Sequence, residues 1–163
     1  MDAYGNLTSV EEFFGANVRL ISYLDPDVAL GVFPPDADSA GAHCVRVHRL
    51  SSGDPDRTAL MTYSVSPIAF SLSPANDLSQ YLTWETGANG LMLLQPMPDP
   101  GNGDVVSGPA FKVDFVQDCW FALNDFNRDS VVDISESGTA ELNPIISFPW
   151  NGGANQIWRA QAL

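Results

Sequence analysis

Residues 131–158 read VVDISESGTAELNPIISFPWNGGANQIW. Short runs of mostly apolar residues alternate here with clusters of Ser, Gly, Asn and Pro. Runs of this length between turn-forming residues predict β-strands rather than helices. The stretch therefore predicts strands at 131–134 and 145–148, with a third strand over 157–160.

The same order of strands and turns occurs twice more upstream. The three segments that align begin VRLISYLDPDVALGV, IAFSLSPANDLSQYLTW and WFALNDFNRDSVVDI. Together they predict twelve strands, at 18–23, 28–32, 43–48, 60–65, 68–72, 81–84, 91–94, 111–116, 120–123, 131–134, 145–148 and 157–160. Four strands repeated three times can close into a barrel capped by hairpins, which leaves few exposed edges. We therefore expect an all-β fold, a β-trefoil, as a single domain over 1–163 with repeats of about 17–66, 67–117 and 118–163.

One segment before the first repeat has a helical pattern. It is SVEEFFG, residues 9–15. Ser9 is placed to cap it and Glu12 follows three residues later, which is the spacing of a capping box. A short N-terminal helical turn is expected.

The composition excludes several classes of partner. Twenty acidic and seven basic residues give a formal charge of −13, with 45% hydrophobic and 17% charged residues. This balance is globular, and it opposes binding to nucleic acid or to anionic membranes. No apolar stretch is long enough for a spanning helix. The first twenty residues have no basic region followed by an apolar core, so we expect a cytoplasmic protein, whether or not it is later released.

The end of the third repeat resembles the ricin-B-type lectins. The resemblance is carried by Asp133, a downstream aromatic residue, the Asn-Gly-Gly turn at 151–153 and the Asn-Gln-x-Trp ending at 155–158. It covers about 28 residues closely and the rest of the chain through strand order. It implies a protein that binds carbohydrate without catalysis and without a cofactor, and in which Trp158 packs inside the repeat.

The resemblance also implies roles for five side chains. A sugar presents a patch of C–H bonds and a rim of hydroxyls, so its site needs an aromatic platform and fixed polar groups. Phe148 would be the platform, with Trp150 as an alternative or additional one. Asp133 would accept hydrogen bonds from two adjacent hydroxyls, which a carboxylate does strongly. Asn155 would contact a third position and Gln156 would help to fix the site.

The other two repeats lack this set of residues. In the first repeat Gly31 takes the position of Asp133, and Thr58 and Leu60 take those of Gln156 and Trp158. The second repeat ends in Pro-Ala-Phe at 109–111. We therefore predict one site. The resemblance implies galactose or N-acetylgalactosamine ends as its ligands. Together with the missing export signal, it implies an intracellular lectin of the kind that fungi accumulate for defence. A single weak site gains avidity through oligomerisation, so a homodimer is left open.

A calcium loop is one alternative. The residues of DFNRDSVVDISE that stand at the ligand spacing of an EF-hand are Asp125, Asn127, Asp129, Val131, Asp133 and Glu136. However, Ser130 takes the place of the usual glycine, and the flanking segments have strand and turn patterns. We therefore expect no metal site.

A protein-binding module without sugar recognition is the other alternative. β-Trefoils also serve as protease inhibitors and noncatalytic subunits, whose loops make the contacts. The proline-rich loops at 32–38 and 95–103 are the candidate contact surfaces. In that case Asp133 and Asn155 would only satisfy backbone groups of local turns. No nucleophile motif supports an enzyme.

Overall fold

The described part of the chain forms twelve short strands, as predicted. The computed structural model describes residues 1–163 except 36, 38–40, 86–89, 98–109 and 127–128. The strands are β1 (Asn17–Ser22), β2 (Val28–Phe33), β3 (Cys44–Arg49), β4 (Leu60–Ser66), β5 (Ala69–Pro74), β6 (Gln80–Trp84), β7 (Met92–Pro96), β8 (Phe111–Gln117), β9 (Trp120–Asp125), β10 (Val131–Ile134), β11 (Ile145–Phe148) and β12 (Ile157–Ala162). Each predicted strand has one counterpart, because proline, glycine and polar turns end the apolar runs where the strands end.

Six of the strands form a closed antiparallel ring. The order around it is β1, β4, β5, β8, β9 and β12, and β12 pairs with β1 again. Closure satisfies the backbone hydrogen-bonding groups that an open sheet would leave at its edges. Each repeat gives its first and last strands to this barrel.

The middle strands of each repeat form a hairpin outside the ring. These hairpins are β2–β3, β6–β7 and β10–β11. They contact one another in turn, through the pairs Cys44–Leu93, Arg46–Pro144 and Leu91–Ile146. The three hairpins therefore form a triangular cap, which is the arrangement of a β-trefoil.

Apolar side chains from all three repeats fill the core. Phe13 stacks on Phe70, with ring centroids 4.9 Å apart, and meets Phe121 edge to face at 5.4 Å. Trp158 and Phe111 are also buried completely. Since Phe70 and Phe121 begin corresponding barrel strands, Phe13 joins the N-terminal segment to two repeats at once.

The N-terminal helical turn is present, but its predicted cap is wrong. A 3-10 helix spans Val10–Phe13, and Ser9 makes no capping hydrogen bond through its side chain. Instead the backbone N–H of Thr8 donates a 2.6 Å hydrogen bond to Glu12 Oε2. The carboxylate therefore reaches back one residue further than a capping box requires. None of the helices in the described part of the chain is long and apolar enough to cross a membrane.

Both cysteines lie in the interior as free thiols. Cys44 is on β3 and Cys119 precedes β9, and both are buried. Burial is also what raises the pKa of the Cys119 thiol. A buried thiol of raised pKa is a poor nucleophile, so Cys119 has a packing role.

Candidate functional site in the third repeat

The β10–β11 hairpin places Asp133 and Phe148 on one face. Asp133 pairs with Ile146, and Val131 pairs with Phe148. Residues directly opposite in an antiparallel pair project to the same side, as do alternate residues along one strand. Asp133 and Phe148 are therefore diagonal neighbours across the hairpin.

Asp133 lies almost entirely inside the protein, where two side-chain amides hold it. It is 3% exposed. Asn155 Nδ2 donates a 2.9 Å hydrogen bond to Oδ1, and Gln156 Nε2 donates a 2.7 Å hydrogen bond to Oδ2. A carboxylate has about four acceptor sites on its two oxygens. Both oxygens of Asp133 thus keep acceptor capacity for ligand hydroxyls.

Gln156 ties together the segments that surround Asp133. Its side chain is fully buried. Besides the bond to Asp133, its Nε2 donates to the Pro149 carbonyl at 2.9 Å, and its Oε1 accepts from the Asn151 backbone N–H at 2.8 Å. All the strong donors and acceptors of this amide are directed to defined partners. Gln156 therefore holds Asp133 against the segment that follows β11.

Asn155 has a second partner on the same hairpin. Its Nδ2 also donates to the Ile134 carbonyl at 3.2 Å. A 3-10 turn over Ala154–Gln156 presents the Asn155 and Gln156 side chains to Asp133 together. The expectation that Asp133 and Asn155 only satisfy turn backbones is therefore incomplete, because they bond to each other as well.

Asn151 belongs to this site, although the sequence did not single it out. Its Oδ1 accepts a 2.8 Å hydrogen bond from the Gly153 backbone N–H, while its own N–H holds Gln156. Gly152 between them has φ of +78°, a conformation that glycine adopts freely. The sequence feature that could have identified Asn151 is the Asn-Gly-Gly turn, because an asparagine side chain often hydrogen-bonds to the backbone two residues further on.

Trp158 is structural. It is fully buried, and its Nε1 donates a 3.0 Å hydrogen bond to the Val132 carbonyl. This bond joins β12 to β10 immediately beside Asp133. Trp158 therefore supports the site from the core without being available to a ligand.

The two candidate platforms differ in exposure. Phe148 is half-buried on β11, whereas Trp150 is 45% exposed two residues further on. Gln156 hydrogen-bonds to the backbone on both sides of Trp150, at the Pro149 carbonyl and the Asn151 N–H. Trp150 is thus an accessible aromatic side chain on an anchored segment.

Burial changes the ionisation of Asp133. Desolvation raises the pKa of its carboxyl, and the hydrogen bonds from Gln156 and Asn155 partly oppose this effect. Removing a carboxylate from water disfavours its charged form, while amide donors favour it. Asp133 therefore requires a higher pH than an ordinary aspartate to become fully ionised.

The corresponding positions in the other repeats lack a carboxylate. Gly31 pairs with Arg46 on β2–β3 as Asp133 pairs with Ile146 on β10–β11, and Thr83 takes this position on β6. Pro109, which takes the place of Gln156 in the second repeat, lies outside the described residues. The carboxylate and amide unit of the third repeat is thus absent from the first two at the positions described.

The candidate calcium loop begins at the last residue of β9 and includes the whole of β10. β9 ends at Asp125 and β10 begins at Val131, so the helices of an EF-hand do not flank it. Asn127 lies outside the described residues. Among those described, no group of three or more His, Cys, Asp or Glu side chains is placed to hold a metal ion.

Comparisons with known proteins identify the fold. No protein-family model matches the chain, and no curated protein matches its sequence. Among solved structures it is similar to ThreeFoil, a designed threefold-symmetric protein, with 17% identity, a TM-score of 0.71, and coverage of 90% of this chain and 99% of that one. It is similar to the Rhizoctonia solani agglutinin, with 14% identity, a TM-score of 0.71, and coverage of 91% and 96%.

A third similar structure is a ricin B-like lectin from Macrolepiota procera, in complex with lactose. The identity is 12%, the TM-score is 0.69, and the match covers 91% of this chain and 96% of that one. At such identities the likeness extends to the backbone arrangement and its threefold repeat. The chain has the β-trefoil fold, shared with a designed threefold-symmetric protein, an agglutinin and a ricin B-like lectin.

Proposed function

We propose that this protein binds carbohydrate without catalysis, through the third-repeat site formed by Asp133, Asn155 and Gln156 with the aromatic side chains Phe148 and Trp150. The observation that carries the proposal is the buried Asp133 carboxylate, held on both oxygens by amides. A preorganised carboxylate binds vicinal hydroxyls without further ordering of the side chain.

The aromatic side chains would supply the other half of sugar recognition. The C–H face of a galactose-type sugar packs on an aromatic ring, while its hydroxyls need polar partners at the edge. Trp150 is exposed and Phe148 shares the face of Asp133. We assign Trp150 the larger part of the stacking, because Phe148 is already half-buried in the hairpin.

Galactose and N-acetylgalactosamine ends are the proposed ligands. Their support is the resemblance of residues 131–158 to ricin-B-type lectins and the likeness in fold to a lectin whose structure contains lactose. Lactose is therefore the first ligand to test. Only the third repeat has the carboxylate at this position, so the proposed stoichiometry is one sugar per chain.

A glycan array with the wild-type protein, run with and without a chelator, tests the ligand class. The expected result is binding to galactose-type ends that the chelator does not change. Binding that the chelator removes would return the Asp125–Glu136 loop to consideration as a calcium site. If no glycan on the array binds, the proposal is overturned, and a protein partner for the proline-rich loops becomes the next hypothesis to test.

Calorimetry with lactose tests the site. Asp133→Ala is expected to abolish binding while the chain stays folded, because Gln156 keeps the Pro149 carbonyl and Asn155 keeps the Ile134 carbonyl as partners. Asp114→Ala, on the exposed part of β8, removes the same charge elsewhere and should bind normally. Unchanged affinity in Asp133→Ala would remove this residue from the site.

A further inference from the structure

A cavity in the first repeat is separate from the carbohydrate site proposed above. It has a volume of about 520 Å3 and lies between β2–β3 and the loop that joins β10 to β11. Its apolar wall consists of Phe33, Pro34, Cys44 and Leu142. This volume is within the range of small-molecule sites, which are mostly apolar with a few polar groups.

Next to this cavity, the first repeat cannot carry the carboxylate that the third repeat has. Gly31 stands at the register position of Asp133. A Cβ added to Gly31 would meet His48 Cβ at 2.6 Å and the Phe33 ring at 3.1 Å. Since real Cβ atoms do not approach so closely, the packing of His48 and Phe33 requires glycine here. The packing of Phe33 and His48, which both line the cavity, therefore excludes a carboxylate at position 31.

A hydrogen bond and an ion pair hold the cavity in shape. His48 is 2% exposed and its Nδ1 lies 2.8 Å from Glu141 Oε1, which joins the first repeat to the β10–β11 loop. Arg57 lies over the Phe33 ring, 4.9 Å from its centroid, and its Nε donates a 2.7 Å hydrogen bond to Asp54. These contacts preorganise the walls, which reduces the ordering cost of binding.

A second cavity continues from the first on the other side of Arg57. Its volume is about 360 Å3, and both cavities are lined by Phe33, Pro34, Asp54 and Arg57. Its lining also includes Asp56 and Asp77. Among the described residues, neither of these two aspartates is paired with a Lys or Arg side chain. The combined groove thus has an apolar end and an acidic end.

We propose that this groove binds a small amphipathic amine, with its apolar body against Phe33, Pro34 and Leu142 and its ammonium group toward Asp56 and Asp77. The aromatic wall suits the apolar body, and the two carboxylates, which have no Lys or Arg partner, suit the ammonium group. Asp77 also accepts hydrogen bonds from Ser79 and Gln80. An overall charge of −13 further favours cations over anions at this surface. The inference does not depend on the proposed sugar site, with which the groove shares no side chain.

Three ligands with the same ring and similar length test the proposal on the full chain. They are phenethylamine, phenethyl alcohol and hydrocinnamate, which carry a cationic, a neutral and an anionic end. Calorimetry should show that the amine binds more tightly than the alcohol and that the acid does not bind. Amide NMR shifts caused by the amine should concentrate at 33–34, 54–57, 76–80 and 141–142, and excess lactose should leave them unchanged. No binding of the amine, or equal binding of all three, would overturn the proposal.

Charge-neutral variants test the acidic end. The double variant Asp56→Asn, Asp77→Asn should weaken phenethylamine binding roughly tenfold, as expected for two partly exposed charge contacts. It should leave binding of the alcohol unchanged. Asp114→Asn and Asp118→Asn together remove the same charge from the β8–β9 region and serve as the matched control. An equal loss of affinity in the control would show that the net charge, and not this groove, attracts the amine.

Discussion

Gln156 donates a 2.7 Å hydrogen bond to Asp133 Oδ2 across 23 positions of the sequence. The donor lies immediately before β12 of the barrel, and the acceptor lies in the β10–β11 hairpin of the cap. The bond therefore joins the two layers of the third repeat at the candidate site. The geometry of this site is consequently tied to the stability of the repeat.

Gln156→Ala should lower both stability and lactose affinity. The substitution leaves the buried Asp133 carboxylate without one donor and the partly buried Asn151 N–H without its acceptor. An unsatisfied buried group costs about 1 to 3 kcal/mol. Urea unfolding measures the loss. Gln117→Ala, at an exposed position of β8, is the control and should change the free energy of unfolding little. Equal stability of the two variants would contradict the bridging role of Gln156.

As the solution is acidified, lactose binding should weaken at a higher pH than it would if Asp133 had the pKa of an ordinary aspartate. Burial raises the pKa of Asp133 above its usual value of 3.8, and the ionised carboxylate is the acceptor for hydroxyls. Affinity is thus lost as the pH falls through this raised pKa. Calorimetry over a pH series measures the lactose affinity, and NMR of the Asp133 carboxyl over the same series measures its pKa. A binding midpoint at or below 3.8 would contradict the assignment.

The same shift predicts the pH dependence of stability. The folded chain holds the Asp133 proton to a higher pH than the unfolded chain does, so the contribution of this residue to stability is greatest below 3.8. That contribution is lost as the pH rises through the raised pKa. The difference in free energy of unfolding, wild type minus Asp133→Asn, should therefore decrease over this interval. A difference that increases with pH would show that the amide bonds outweigh the burial.

Trp150→Ala should weaken lactose binding with little change in stability. The side chain is 45% exposed, so its removal leaves no cavity in the core. Loss of an aromatic contact reduces affinity by about 1 kcal/mol, or roughly fivefold. Phe148→Ala should lower the melting temperature as well, because Phe148 is half-buried. Tyr4→Ala, which removes another exposed aromatic side chain, is the control. Normal affinity of Trp150→Ala would assign the platform to Phe148.

Gly31→Ala should destabilise the first repeat. The added Cβ would meet His48 Cβ at 2.6 Å, and overpacking of this kind costs about 1 to 3 kcal/mol. In a chain that already carries His48→Gly the Cβ of residue 48 is absent, so the same change should cost less. A double-mutant cycle by urea unfolding measures the difference. Equal cost in both backgrounds would place the strain at Phe33 instead.

The sequence predicted the strands well because their ends are marked locally. Proline, glycine and polar turns bound each apolar run, and the repeated order of four strands predicted the fold. The strand ends differ by one or two residues, as where β9 continues to Asp125 and β12 to Ala162. Pairing between strands extends these ends, and no local signal shows that pairing in advance.

The candidate site was predicted in part. Asp133, Asn155 and Gln156 do lie together, because the motif that contains them resembled that of known lectins. The contribution of Asn151 was missed, since it acts through its backbone N–H. The bond from Glu141 to His48 spans 93 positions, and only the closed fold brings these residues together. Contacts between the first and third repeats could not be predicted from the sequence of either repeat alone.

The close packing at Gly31 has a consequence for the history of this protein. If the three repeats descend from one ancestral unit, a carboxylate cannot return to the first repeat by a single substitution, because any side chain at 31 would collide with His48. Changing His48 to glycine first would remove this collision, but it would also remove the hydrogen bond between His48 and Glu141. Each route back thus passes through a less stable intermediate. The asymmetry between the repeats is therefore self-maintaining, even without selection for a ligand in the first repeat.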